Sequence, residues 1–367
     1  MSLSPLFSPL RVGRMTLQQR IAMAPMTRLR ADVNHTPLSS VKEYYQQRAV
    51  VSGTLLITEA TVISPRHGGY PNVPGIYTDE HIAAWKEVTK AVHDRGSYIF
   101  LQLWALGRAA NPSFLEQQGL KLLSSSDVPM KSTFSDEMHH PTPLTENGIQ
   151  DVITDFAAAA KHAMKAGFDG VEIHGANGYL VDQFIQDVSN KRVDTWGGDI
   201  EKRSKFAIEV TKAVVEAVGP DRTAIRLSPW SRYQDMRMED PIPQFTDIVK
   251  KLAQFKLAYL HLCEADNVET DGHLGWLIDA YQNAGPVIVA GNYNGETAVK
   301  ALEEQYKRHD VAVAFGRPFI GNPDLAFRIK ERIPFAPFDP KTMYAQTTEG
   351  YTDYQYSPEF QTVTPSA

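Results

Sequence analysis

An α/β fold of the (β/α)8 TIM-barrel class, with an inserted loop region after the third strand, is what this sequence predicts. Two observations predict it. Eight short, continuous apolar runs recur along the chain, and most are followed by a segment whose apolar residues repeat at helical spacing. Continuous rather than alternating runs suit strands buried on both faces, with helices outside and a packed interior. Alternation of strand and helix favours a parallel sheet, and eight strands favour closing it. An open, doubly wound sheet is the competing arrangement. A dinucleotide-binding version would need Gly-x-Gly-x-x-Gly after an early strand, and the sequence has none there.

The expected strands are residues 21–26, 55–60, 98–103, 171–174, 224–227, 258–262, 287–290 and 311–315. A helix is expected over 79–95, where Ile82, Trp85, Val88, Thr89 and Val92 recur near helical spacing. A second is expected over 151–166, with Val152, Phe156, Ala159, Ala160 and Ala163 on one stripe and Gly167 as its stop. A third covers 200–218 and ends at Gly219-Pro220; a fourth covers 295–309. Residues 108–147 break the rhythm with Ser, Pro and Gln, and are expected as a ligand-side insertion, either a wall of the site or a passive loop. Residues 1–367 are expected to form one domain, since such barrels run from roughly 200 to over 400 residues. Residues 357–367 are expected to be a flexible tail.

Composition removes several functions. The 37 basic and 43 acidic residues leave a net charge of -6 with no long basic run, so a nucleic-acid partner is not expected. One cysteine, Cys263, excludes an intrachain disulfide and a four-cysteine cluster or zinc site. Cys263 sits in an apolar run and reads as core rather than nucleophile. His139-His140 lacks a third ligand at a convincing spacing, so no metal is expected. The first 13 residues do not read as a signal peptide, and no stretch is apolar for long enough to span a bilayer. A cytoplasmic location without a membrane partner is the expectation, as a monomer or homodimer.

Chemistry concentrates where the strands end. In this architecture the C-terminal ends of the strands surround the site. Gln102, His174, Arg226, Gly291-Asn292 and Gly316-Arg317 all fall there. Buried amides and charges are costly unless they bind something, so their convergence indicates a polar ligand site. His174-Gly-Ala-Asn177-Gly-Tyr179 supplies an imidazole, an amide and a phenol within six residues. His174 and Asn177 could donate to one oxygen on which negative charge develops, and Tyr179 could give a proton to a carbon. The same stretch also fits a core histidine, a turn asparagine and a packed tyrosine. Arg226 could face a persistent anion or pair with a core carboxylate, and Gln102 could meet a ligand or be a satisfied buried amide. Gly291-Asn292 and Gly316-Arg317 fit a phosphate: the glycines let backbone N–H groups approach and Arg317 offers a two-pronged donor. Trp104 and Tyr344 could line the site or fill core.

With these residues in place, the chain resembles the Old Yellow Enzyme family of flavin-dependent ene-reductases. The resemblance runs from about residue 6 to 356. It is carried by Ile21-Ala-Met-Ala-Pro-Met-Thr-Arg28, Ile57-Thr-Glu-Ala60, Leu101-Gln-Leu-Trp-Ala-Leu-Gly107, His174-Gly-Ala-Asn-Gly-Tyr-Leu180, Arg226-Leu-Ser-Pro229, the two glycine strand ends, and Gly350-Tyr-Thr-Asp-Tyr354. It implies non-covalent FMN. Pro25, Met26, Thr27, Ala60 and Gln102 would meet the isoalloxazine, with Thr27 at its O4 edge and Arg226 at its N1/O2 side. Gly291, Asn292, Gly316 and Arg317 would take the phosphate end. His174 and Asn177 would hold the substrate oxygen, Tyr179 would be the proton donor, and Trp104, Tyr233 and Tyr344 would line the site. Met343 would stand near the flavin where other members carry an aromatic residue. The implied cycle takes hydride from NADPH, with NADH possible, and reduces an electron-poor alkene, an α,β-unsaturated ketone or aldehyde.

Other readings stay open at this point. Family members also reduce nitro compounds, quinones or nitrate esters. A flavin-independent barrel aldolase or isomerase could use the same phosphate pocket, although a Schiff-base aldolase would favour a lysine at a strand end and none is well placed. A non-enzymatic ligand-binding barrel is the third reading.

Overall fold

Each apolar run pairs with its neighbours on both sides, which satisfies the backbone groups of residues too apolar to face water. The computed structural model describes residues 5–132, 136–265 and 273–363. Its strands are β1 (Ile21–Met23), β2 (Leu55–Ile57), β3 (Tyr98–Trp104), β4 (Gly170–Gly175), β5 (Thr223–Leu227), β6 (Tyr259–Cys263), β7 (Val287–Ala290) and β8 (Val311–Phe315). They pair in parallel in chain order, and β8 pairs with β1, closing the barrel.

An outer helix follows each strand: α1 (Ser39–Arg48), α2 (Asp79–His93), α3 (Glu146–Lys165), α4 (Ile200–Val218), α5 (Ile242–Ala253), α6 (Gly275–Ala280), α7 (Gly295–Lys300) and α8 (Leu325–Glu331). Side-chain caps start several of them. Thr78 accepts from His81 N–H, Thr145 from Gly148 N–H and Asp199 from Lys202 N–H. Ile149, Val152, Phe156, Ala159, Ala160 and Ala163 of α3 are buried on the helix-to-barrel layer, in the same cluster as the outward side chains Leu101, Val171 and Ile173.

Period two decides which residues point into the barrel. A second cluster joins Ala22, Ala24, Leu55, Ile57, Phe100, Ala224, Tyr259, Ile288, Ala290, Ala312 and Ala314. The bulky members fill the lower interior. Alanines on β1, β7 and β8 leave space toward the C-terminal ends. An antiparallel hairpin, Leu10–Val12 with Met15–Leu17, contributes Leu10, Val12, Met15 and Leu17 to this cluster and stoppers its lower end. Gly13 turns the hairpin at φ 54, where a Cβ would strike the carbonyl oxygen of Asp221.

Several boundaries differ from the sequence expectation. β1 and β2 stop three residues early. Ala24 and Thr58 still donate to Phe315 O and Phe100 O, and the ladder ends after them because Pro25 has no N–H and Glu59 N–H turns to the phenol of Tyr45. α3 begins five residues earlier than expected, at the Thr145 cap, since the apolar stripe alone does not announce a polar first turn. The expected helix over 295–309 is α7 followed by a π-turn over Ala301–Gln305, where Tyr306 N–H reaches back to Ala301 O. The expected tail from 357 instead holds a helix, Pro358–Val363. Ser357 donates to Asp324 and Phe360 is buried against Phe327 and Tyr356, which gives the segment an apolar anchor. Residues 364–367 of that expectation lie outside the described residues.

Candidate active site

The loops after β1, β2 and β4 and the ends of β3, β5, β6, β7 and β8 enclose one continuous cleft. A narrow part of about 110 Å³ is lined by Pro25, Thr27, Ala60, Gln102, His174, Asn177, Tyr179, Arg226 and Tyr233. It opens, through shared Pro25, Thr27, Asn177 and Arg226, into a wider part of about 650 Å³. There Met26, Gly291, Asn292, Gly316, Arg317, Met343 and Tyr344 form the walls. Trp104 is the exception among the expected lining residues. It is fully buried and lies behind Tyr179, edge-on at 5.0 Å between ring centroids. Cys263 is also displaced from expectation: it lines the wide part of the cleft at the end of β6 and is only half-buried, with burial pushing its thiol up.

The narrow part holds the reactive side chains. The His174 ring meets Tyr179 at 4.8 Å between centroids. Burial, followed by the nearby charge of Arg226, holds His174 well below its usual range, so its imidazole is neutral and carries one N–H. Its Nδ1 has no hydrogen-bond partner among the described residues. Burial holds the Tyr179 phenol well above its usual range, so it keeps its proton. A neutral donor imidazole and a protonated phenol on one wall form a charge-free set of proton donors.

The turn between them is locally enforced. Asn177 sits in the left-handed region at φ 56, with its N–H on Ser228 Oγ at 2.7 Å. Gly178 follows at φ 76 and donates to Asp182 Oδ2 at 2.8 Å, while Gln186 Nε2 donates to Asp182 Oδ1 at 2.9 Å. A Cβ on Gly178 would lie 2.8 Å from side-chain atoms of Gln234 and Met236. Gln234 is itself left-handed, at φ 60, and buried against this turn; among the described residues neither of its amide atoms has a partner at full hydrogen-bond geometry, although it interacts with the Tyr179 phenol. Arg108, from the start of the insertion, donates to the carbonyls of Gln234 and Asp235 at 3.2 and 3.4 Å. Lys131 N–H, deeper in the insertion, donates to Asp235. The insertion therefore braces the loop that carries Gln234.

Two buried arginines fix the opposite wall. Arg28 donates to Met343 O and Gly350 O at 3.0 and 2.8 Å. Arg30 donates to Met343 O at 2.8 Å and Thr342 O at 3.0 Å. Both lie over the Tyr351 ring, at 5.0 and 4.5 Å. This clamp places Met343 and half-exposed Tyr344 at the cleft. Glu59 accepts from Arg28 N–H, and burial pushes its carboxyl up to about 7 against that bond and the arginine charges.

In the wide part, Gly291, Asn292, Gly316 and Arg317 line the same stretch of cleft. Glu264 stands on the same wall, its Oε1 accepting from the phenols of Tyr293 and Tyr306 at 2.5 Å each. Glu172, His261, Asp182, Gln234 and Glu264 escaped the sequence reading, and Ser228 was quoted within a motif without a role. A signal existed for two: Glu172 is two residues before His174, and His261 two after Tyr259, so period two turns each inward from an otherwise apolar strand.

The sequence model of the NADH:flavin oxidoreductase / NADH oxidase family matches residues 5–335. The chain belongs to this family. Its solved neighbours are Old Yellow Enzyme homologues. The one from Zymomonas mobilis superposes with a TM-score of 0.88 at 38% identity, covering 96% of this chain and 99% of that one. A chanoclavine-I aldehyde reductase, fgaOx3 of Penicillium roqueforti, is 54% identical over 98% of both chains. Another relative, at 47% identity over 98% of this chain and 97% of its own, is named "Probable inactive reductase easA" in Epichloe festucae var. lolii. As a member of this Old Yellow Enzyme group, the chain is an FMN-linked oxidoreductase.

Its residues fit FMN. The cleft has a floor of small side chains (Ala24, Ala60, Ala290 and Ala314), which suits a flat ring. Arg226 Nε is buried without a partner among the described residues, as a donor awaiting an anionic ring edge would be. Arg317 and the glycine backbones suit a phosphate.

Proposed function

We propose that this protein is an FMN-dependent reductase of the NADPH dehydrogenase type, acting on the activated C=C bond of α,β-unsaturated aldehydes and ketones. The observation that carries the reading is the wall formed by neutral His174, Asn177 and protonated Tyr179 in the narrow part of the cleft. An aldehyde substrate is favoured by the 54%-identical relative named an aldehyde reductase.

Bound FMN would supply the hydride chemistry, receiving from NADPH, or NADH, and giving to the substrate's β-carbon. The protein's own part is positional and protonic. His174 and Asn177 hold the carbonyl oxygen and stabilise the negative charge that builds there. Tyr179 passes its phenolic proton to the α-carbon. Pro25, Met26, Thr27, Ala60, Gln102 and Arg226 would seat the ring; Gly291, Asn292, Gly316 and Arg317 would hold the phosphate. Tyr233 and Tyr344 flank the mouth, Trp104 backs Tyr179, and Met343 would stand near the ring. Were nicotinamide and alkene to use the same cleft in turn, the chain would need no separate nucleotide-binding fold.

The test is an anaerobic visible spectrum of the FMN-loaded protein. NADPH is expected to bleach the flavin band, and cinnamaldehyde or cyclohexenone to restore it with formation of the saturated product. A bleached band that neither compound restores overturns the ene-reductase reading; a protein that does not retain FMN overturns the flavin reading itself.

A further inference from the structure

Two groups expected at the flavin's pyrimidine edge, Gln102 and Arg226, both act on one buried carboxylate, Glu172. Glu172 lies directly opposite Gln102 in the β3–β4 ladder. It is fully buried, as are Gln102 and His261. Its Oε1 accepts from Gln102 Nε2 at 2.8 Å, and its Oε2 pairs with His261 Nδ1 at 2.8 Å. Arg226 lies opposite His174 in one ladder and opposite His261 in the next, which puts its charge in the same interior layer. Tyr259 interacts with Glu172 from below.

A carboxylate in such a place is costly unless it is paired on every side. Burial opposes its ionisation, but His261, Arg226 and Gln102 together hold Glu172 below the usual carboxylate range. Burial keeps His261 below its own usual range, so the ring is neutral and its Nδ1–H is the donor to Glu172. Glu172 is thus a persistent anion beneath Arg226. It fixes which way the Gln102 amide faces, because Nε2 is committed to the carboxylate and Oε1 must turn toward the cleft. It also offsets part of the positive charge that Arg226 presents to the cleft.

We propose that Glu172 is the positioning residue of the flavin site: through Gln102, His261 and the field at Arg226 it orients the donors and acceptors on the ring's pyrimidine edge and sets the reduction potential of bound FMN. This rests on the flavin reading above. Electrons enter and leave the ring by the hydride steps already given; Glu172 exchanges none and changes only how strongly the reduced, more negative ring is held.

The experiment compares wild type with Glu172→Gln, measuring FMN affinity by fluorescence quenching and the midpoint potential by dye-equilibrated reduction. Gln removes the charge at nearly constant shape, and the Gln102 amide can flip to meet it. Loss of the anion leaves Arg226 less compensated. The variant is expected to keep FMN and to shift the oxidised/reduced equilibrium at least tenfold toward reduced, a rise of about 30 mV for a two-electron couple. A folded, FMN-bound E172Q with the wild-type potential overturns the inference and leaves the flavin reading standing. A wild-type protein that binds no FMN overturns both. Should E172Q fail to fold, His261→Asn and His261→Leu carry the test. Asn retains an N–H for Glu172 where Leu has none, so the potential should move in H261L and return toward wild type in H261N. Identical potentials in the two overturn the inference.

Discussion

At the scale of single residues, burial determines protonation state, and protonation state determines what each group can do. Tyr179 retains its proton because an ionised phenol would be stranded away from water. Tyr179→Phe is therefore expected to bind FMN and accept hydride from NADPH as wild type does, while alkene reduction slows by roughly 10²-fold or more. Stopped-flow traces of the two half-reactions check this, and equal slowing of both would remove the proton-donor role. His174→Ala should weaken a phenolate or phenol inhibitor by roughly tenfold, the value of one lost donor bond, read by flavin band shifts on titration. Glu59 offers a pH signature. Its folded pKa of about 7 lies above the ordinary 4.5, so its contribution to stability is complete below the unfolded value and is lost as pH rises through about 7. Relative to Glu59→Gln, wild type should lose on the order of 3 kcal/mol between pH 4.5 and 7, visible as a wild-type melting temperature that falls relative to the variant's as pH rises.

At the scale of elements, the site is assembled by segments distant in sequence that hold one another's backbone. The Arg28 and Arg30 clamp is the clearest case: two side chains from the loop after β1 bind carbonyls of residues 342, 343 and 350. Arg30→Ala should free this segment, raising its cleavage by a protease under native conditions and weakening FMN binding, with the far-ultraviolet spectrum unchanged. Resistance equal to wild type would mean that Arg28 alone suffices. The motif Gly350-Tyr-Thr-Asp-Tyr354 was recognisable in the sequence, but its purpose was not. Gly350 presents a carbonyl to Arg28, and Tyr351 stacks on Tyr44 at 4.1 Å under both guanidinium groups. Strand periodicity could not reveal these contacts, because they join loops across more than 300 residues. The π-turn after α7 escaped for a related reason: nothing local in 295–309 breaks a helix, and the Tyr306 phenol instead finds Glu264 across the fold.

Across the whole molecule, the barrel separates stability from chemistry. Bulky interior residues and the N-terminal hairpin close the lower end, while alanines and polar strand ends open the upper one. Leu17→Ala, in the hairpin, should cost roughly 2–5 kcal/mol of stability, read by urea unfolding, with FMN affinity unchanged. A matching loss of FMN affinity would show that the two ends are coupled. Among the described residues no helix is long and apolar enough to cross a membrane.

The amino-acid sequence by itself determined the strand and helix alternation, the barrel, and the residues at the strand ends, because period two, helical spacing and turn glycines are local properties of a chain. His174, Asn177, Tyr179, Arg226 and the two glycine strand ends were legible for that reason, and the tertiary structure brings them to one cleft. Only the tertiary structure decided what stands behind them. Glu172 under Gln102, Asp182 under Gly178, Ser228 on Asn177 and the arginines on residues 342–350 are pairings of buried polar groups. Such a group must find a partner once water is removed, and which partner it finds depends on the register of neighbouring strands and the path of distant loops.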